Sequence, residues 1–267
     1  VQTTQRKSYL TIIIVVSAAI AAAMMALFAL PLVKVAYANV QNLYVIYYGH
    51  LVNSDGTISE QASRIIEARP QLVIVPYSFP DGTPNLTDKV HQQFKDAGIK
   101  VLTYTWTKYG ERNIDEVKAD IDSQLAAGVD GIFVDEVTNI STDKEYSYYS
   151  AIYKYVKSHD SGKLVVMNPG HYKVTEKIMQ ISDIVSLEEE WVYHGQIAWK
   201  ENYPPARFMG VSSNEYCTEC ITESNAASKT LEAWSSGIGY HFATDRYIDL
   251  PEWFSGYASQ VNEVKQP

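Results

Sequence analysis

GVDGIFVDEVT, residues 128–138, decides how the chain reads. Gly128 supplies the left-handed turn that releases a helix, and Gly131, Ile132, Phe133 and Val134 form a short apolar run of the kind buried on both faces of a parallel sheet. Two adjacent acids, Asp135 and Glu136, end the run. In a barrel of parallel strands the C-terminal strand ends open onto the active-site face, so carboxyls placed there read as chemistry. Taken alone, the pair could equally begin an ordinary polar loop, and the rest of the chain has to decide.

Outward from this stretch the pattern repeats: a β-rich apolar run, a polar loop, an amphipathic segment, a turn. The runs are Leu43 to Tyr48, Leu72 to Pro76, Val101 to Tyr104, Gly131 to Asp135, Leu164 to Asn168, Ile184 to Glu188, Arg207 to Val211 and Gly239 to Ala243. Helices are expected at Ser59 to Ala68, Thr87 to Ala97, Asn113 to Ala127, Tyr146 to His159, Val174 to Ile181, Ile221 to Ser236 and Trp253 to Lys265. Asn113 with Glu116 reads as a capping pair, Ser224 as a start signal, and Gly98, Gly128 and Gly237 as left-handed helix ends. The segment Trp191 to Pro205, rich in aromatics and prolines, is read as an irregular loop over the site. Alternation of strand and helix predicts a parallel sheet, and eight units predict a closed (β/α)8 TIM barrel. Tyr48-Gly49-His50 follows the first strand in place of G-x-G-x-x-G, so nothing speaks for a nucleotide cofactor.

The chain has 267 residues and a formal net charge of −9, which argues against a nucleic-acid partner. Residues 1–38 read as a signal peptide or signal anchor. Arg6 and Lys7 precede an apolar run at about residues 10–33, long enough for a transmembrane helix. Ala36 and Ala38 form a small-x-small cleavage pattern, so the same segment reads both as an uncleaved anchor and as a leader removed after Ala38. Either way residues 39–267 form the barrel domain and are expected outside the cytoplasmic membrane, tethered to it through the N-terminal helix or secreted. Cys217 and Cys220, the two cysteines of the chain, are spaced C-x-x-C; a local disulfide is the expected state, with a thiol-redox pair as the competing reading.

The strand ends supply the candidate site. Tyr48 and His50 follow the first strand, Thr105 to Arg112 the third, Asp135 and Glu136 close the fourth, Asn168 the fifth, Glu188, Glu189, Glu190 and Trp191 the sixth, and His241 lies in the eighth. Two carboxyls across a cleft, flanked by aromatics and amides, are what glycoside hydrolysis requires: one protonated for the leaving oxygen, one ionised as nucleophile or base. The histidines never fall at metal-ligand spacing, so no metal is expected. Trp106 and Trp191 read equally as core or as sugar-stacking platforms.

The succession VLTYTWTKYGER, GVDGIFVDEVT, YSYYSAIYKYVK, VVMNPG and SDIVSLEEEW resembles, in order and spacing, the spherulation-specific family 4 (spherulin-4-like) proteins from about Leu43 to Trp191. The resemblance implies a (β/α)8 barrel and an endo-acting, retaining-type glycoside hydrolase cutting α-1,4-linked galactosamine-containing polysaccharide; no cofactor is expected. Carried over residue by residue, it implies Asp135, Glu136 and Glu189 as catalytic, with Tyr109, Arg112 and Asn168 near the cleft. Tyr48, Glu188, Trp191 and His241 complete the expected sugar-binding set. The competing expectation is a catalytically silent barrel that binds glycan or serves as a structural part of the cell envelope.

Overall fold

Each expected apolar run forms a strand in the computed structural model, which describes residues 41–170, 175–187, 197–214 and 220–264. The strands are β1 (Asn42–Ile46), β2 (Leu72–Val75), β3 (Lys100–Trp106), β4 (Gly131–Asp135), β5 (Leu164–Met167), β6 (Ile184–Ser186), β7 (Phe208–Ser212) and β8 (Tyr240–Ala243). They pair in parallel in chain order, and β8 returns to β1 through Asn42 opposite Tyr240 and Leu43 opposite His241. The (β/α)8 barrel is thus closed, and the described residues fall in one compact unit, Asn39–Pro267. In β4, Ile132, Phe133 and Val134 are fully buried; each contributes roughly 1.5–3 kcal/mol on leaving water. Gly131 opens this strand because a Cβ there would collide with the Leu164 carbonyl oxygen of β5.

Among the described residues six α-helices cover the outside: α1 (Glu60–Ala68), α2 (Asp88–Asp96), α3 (Ile114–Ala126), α4 (Asp143–His159), α5 (Ala226–Ser235) and α6 (Phe254–Val264). Their starts follow capping chemistry, with three corrections. The Asn113 side chain does cap α3, accepting from the Asp115 N–H, but Glu116 pairs with Arg112 instead of completing a capping box. The capping box belongs to α4, where Thr142 and Glu145 bond reciprocally and start the helix at Asp143, earlier than Tyr146. Likewise α5 begins after Asn225 rather than at Ile221 or Ser224. Gly98, Gly128 and Gly237 all have positive φ, as their positions after helices demand. After β5 and β6 the described residues carry 3-10 turns, Glu176–Gln180, Ala198–Asn202 and Pro205–Arg207, in place of full helices.

The expected signal or anchor segment, residues 1–38, lies outside the described residues. Among the described residues no helix is long and apolar enough to cross a membrane.

One polar line runs through the wall between barrel and helices. His241 of β8 is fully buried, with Nε2 3.0 Å from Ser212 Oγ of β7 and Nδ1 2.9 Å from Thr230 Oγ1 of α5. Thr230 Oγ1 lies 2.8 Å from the Tyr257 hydroxyl of α6, which accepts from the Ala243 N–H. One proton ordering satisfies all of these at once: Tyr257 donates to Thr230, Thr230 to Nδ1, and Nε2–H to Ser212. Burial pushes the His241 imidazole down to about 3, so it is neutral in the folded protein. The unfolded chain therefore binds a proton that the folded one refuses. Stability is complete above the ordinary histidine range and falls as the pH drops from about 6.5 toward 3, by ~1.4 kcal/mol per pH unit for this group. Equilibrium denaturation of wild type and His241→Gln at pH 7 and at about pH 5 checks this: the wild type is expected to lose more stability between the two than the variant does.

Candidate active site

The acids of β4 sit where the barrel opens. On β3, Thr103 and Thr105 turn toward α3, where Gln124 bonds both hydroxyls, so Tyr104 between them faces the interior. Trp106 continues the interior face and stands opposite Asp135 in the sheet register. Asp135 Oδ1 accepts from the Glu136 N–H and from Asn168 Nδ2, both at 2.8 Å. Both bonds end on one oxygen, and Oδ2 has no hydrogen bond among the described residues. Burial lifts the Asp135 carboxyl above the usual carboxylate range; the two hydrogen bonds, which favour the ionised form, offset part of that.

Aromatic rings flank this corner. Tyr48, just past β1, meets Tyr104 edge to face at 5.5 Å and lies 6.3 Å from Tyr247, which follows β8. Burial, and secondarily the charge on Asp135, push the Tyr104 phenol upward. Tyr48, Tyr104, Asp135 and Asn168 thus come together from four different strand ends.

Glu136 does not continue the strand. Its φ of +54° puts it in the left-handed region, which breaks the alternation that would otherwise send it to the face opposite Asp135. The turn is held from β3 and α4. Thr107, fully buried, donates its N–H to the Asp135 carbonyl oxygen at 3.1 Å, and its hydroxyl lies 2.9 Å from that oxygen and 2.8 Å from the Glu136 carbonyl oxygen. A threonine has one hydroxyl proton, so the two carbonyls share it. The Tyr109 N–H donates to the Glu136 carbonyl at 2.9 Å, and the Tyr149 hydroxyl of α4 sits 3.3 Å from Thr107 Oγ1 and accepts from the Thr138 N–H. Next to it the Tyr148 hydroxyl donates to the Arg112 carbonyl oxygen, tying the β3–α3 loop to the same helix. Lys108, Tyr109, Glu136 and Ile140, all left-handed without being glycine, crowd into the loops after β3 and β4. Such conformations cost on the order of 1–3 kcal/mol each, and their concentration at one rim marks a functional place.

Of the residues expected from sequence, Tyr48 and Asn168 reach Asp135's surroundings. Tyr109 stands at the rim with its side chain 46% exposed. Arg112 is spent elsewhere: its guanidinium lies 4.9 Å from the Trp106 ring centroid, donates to the Trp106 carbonyl oxygen and pairs with Asp120 at 2.7 Å. It supports Trp106 instead of meeting a ligand. His241 is not brought to the cleft at all, being enclosed between β7 and α5. Glu188, Glu189 and Trp191 lie outside the described residues, as does Cys217; β6 carries the chain to the same rim, where the Leu187 N–H donates to the Met209 carbonyl oxygen. Cys220 is not a free thiol. Among the described residues no group of histidines, cysteines and acids could hold a metal ion. Thr107, Tyr149 and Tyr247 were not singled out by the sequence, since an interior threonine and a tyrosine on a tyrosine-rich helix carry no signal of their own.

The model of the spherulation-specific family 4 matches residues 56–266. Spherulin-4 of Physarum polycephalum is 34% identical over 188 residues, covering 63% of this chain and 54% of that protein, so the chain spans about half the length of this relative. Among solved structures, Aspergillus clavatus Sph3, determined in complex with GalNAc, superposes with a TM-score of 0.63 at 17% identity, covering 83% of this chain and 97% of that one. The Bacillus megaterium spore cortex-lytic enzyme SleL follows at a TM-score of 0.51 and 8% identity, over 82% of this chain and 74% of its own. At these identities the structural likeness speaks for the barrel. With the family match running from the first helix to the last, the chain belongs to the spherulation-specific family 4.

Proposed function

We propose that this protein is a glycoside hydrolase that cuts an amino-sugar polysaccharide of the α-1,4-linked galactosamine type within the chain. The observation that carries the reading is Asp135: a carboxyl raised by burial, fixed through one oxygen by Asn168 and the Glu136 N–H, at the mouth of a (β/α)8 barrel. A carboxyl held protonated closer to neutral pH suits proton donation to a leaving glycosidic oxygen. The GalNAc found with Sph3 supports a hexosamine substrate. In this scheme Asp135 carries the proton, Glu189 is the ionised partner, and Glu136 holds substrate or geometry. A carboxyl separation of about 5–5.5 Å would mean retention through a covalent intermediate, and about 6.5–9.5 Å inversion through a water.

Single replacement by the amide, Asp135→Asn, Glu136→Gln or Glu189→Gln, is expected to cut turnover of α-1,4-linked galactosamine polymers by on the order of 10²–10⁴ while glycan binding persists. Absence of turnover in the wild type on N-acetylated and de-N-acetylated polymers alike, with binding intact, would favour the silent glycan-binding barrel. Asn168→Ala adds a signed test. The Asn168 amide favours ionised Asp135, so its removal raises the carboxyl further, and the alkaline limb of the pH–rate profile is expected to move to higher pH.

Thr107 is expected to act on the same chemistry from a distance. Thr107→Val keeps the shape but leaves the Asp135 and Glu136 carbonyls short of a donor, with an expected stability loss of about 1–3 kcal/mol. Turnover should fall roughly 10- to 100-fold through misplaced carboxyls, and Thr107→Ser should restore most of it.

The same reading puts the barrel outside the cell, with residues 1–38 as leader or anchor and with Cys217 and Cys220 joined in an oxidising compartment. Intact mass measurement of the exported protein tests both points. A mature N-terminus at Asn39 marks cleavage and a retained first segment marks an anchor, while two alkylatable thiols under denaturing, non-reducing conditions would rule out the disulfide.

A further inference from the structure

A groove of about 550 Å³ opens beside the acids, between the loop after β2, the end of β3 and helix α3. Its walls include Tyr77, Phe79, Tyr104, Trp106, Asp120 and Ser123. Its size is that of a small-molecule cleft. Tyr104 is shared: it lines the groove and also belongs to the aromatic corner around Asp135. The groove therefore adjoins the surroundings of Asp135 across Tyr104.

Trp106 is prepared for a ligand in a way that an incidental surface tryptophan is not. Its indole is 44% exposed, yet the Arg112 guanidinium covers one face and is itself fixed by Asp120, Glu116 and the Trp106 carbonyl oxygen. The ring is held in place before anything binds, so stacking on it sacrifices little side-chain freedom. Phe79 is steadied on the other wall by His50, with ring centroids 4.3 Å apart. The polar groups suit hydroxyls rather than phosphates: Asp120 is an acceptor with one oxygen engaged by Arg112, and Ser123 Oγ, which donates to the Ala119 carbonyl oxygen, can still accept. Flat aromatic walls that meet an apolar ring face, with acceptors at the edge, match a pyranose.

We propose that this groove is a distal subsite that takes a sugar ring of the same glycan chain, stacked on Trp106 and hydrogen-bonded at Asp120, away from the bond being cut. The assignment rests on the glycosidase reading above and says where the chain runs when it leaves Asp135. Such a subsite contributes only when the oligomer is long enough to reach from the acids past Tyr104.

Binding of α-1,4-linked galactosamine oligomers of graded length, from the monosaccharide upward, to the full chain carrying Glu136→Gln is the test, read by calorimetry. Adding Trp106→Ala is expected to weaken the long oligomers about tenfold or more and to leave the monosaccharide unchanged. Trp106→Phe should retain most of the affinity, and Phe79→Ala should reproduce the length dependence from the opposite wall. Equal weakening at every length, or none at any length, would overturn the subsite. Turnover by the wild type on the same oligomers is the separate arm: no turnover with length-dependent loss in Trp106→Ala removes the hydrolase reading and leaves the subsite. Turnover with length-independent binding removes the subsite alone.

Discussion

The rim of this barrel depends on a single hydroxyl. Thr107 Oγ1 reaches the carbonyl oxygens of Asp135 and Glu136, and its own N–H takes the first of them as well. Two successive carbonyls drawn to one residue of the neighbouring strand force the chain to turn just after β4, which is what gives Glu136 its left-handed φ. Without that clamp the strand would run on with alternating side chains, and one of the two acids would be directed away from the lumen. The Tyr149 hydroxyl closes the arrangement from α4, so the geometry of the β4 acids is set jointly by the strand before them and the helix after them.

Around this turn, polarity and dryness are divided between the two sides of Asp135. Asn168 and the Glu136 N–H hold one carboxyl oxygen, while the Tyr104 ring, packed against Tyr48, adds apolar surface beside it. The two influences act on the proton in opposite directions, and burial prevails. A carboxyl poised in this way differs from a merely buried one. It keeps a fixed orientation through one oxygen and leaves the other for exchange with a ligand.

Much of the architecture was legible because parallel strands buried on both faces leave a plain signature. All eight apolar runs became strands, and Gly131 to Asp135 did so with its bounds unchanged. The (β/α)8 closure followed from counting. Helix starts were less secure, since capping depends on which partner a side chain finds: Glu116 pairs with Arg112 instead of folding back on Asn113, while Thr142 and Glu145 bond each other. At the site, Tyr48, Asp135 and Asn168 could be placed from strand ends alone, and the structure sets all three at the C-terminal ends of their strands. His241 was misjudged because period-2 alternation says that neighbours face opposite sides but not which side is the lumen. The engagement of Arg112 with Trp106 and Asp120 is a tertiary fact that the sequence does not show.

The left-handed residues carry a consequence for anyone wishing to harden this protein. Replacing a left-handed residue by glycine is an ordinary route to thermostability, since it relieves the crowding between Cβ and backbone. Arg69, with φ of +48° at the C-terminal cap of α1, invites that remedy at no expense to the rim. Glu136 invites it equally on conformational grounds, and there the same exchange would delete a carboxyl. Selection for heat resistance alone would thus favour a sturdier barrel with one rim carboxyl fewer, and a stabilisation campaign that scores only unfolding would not register the loss.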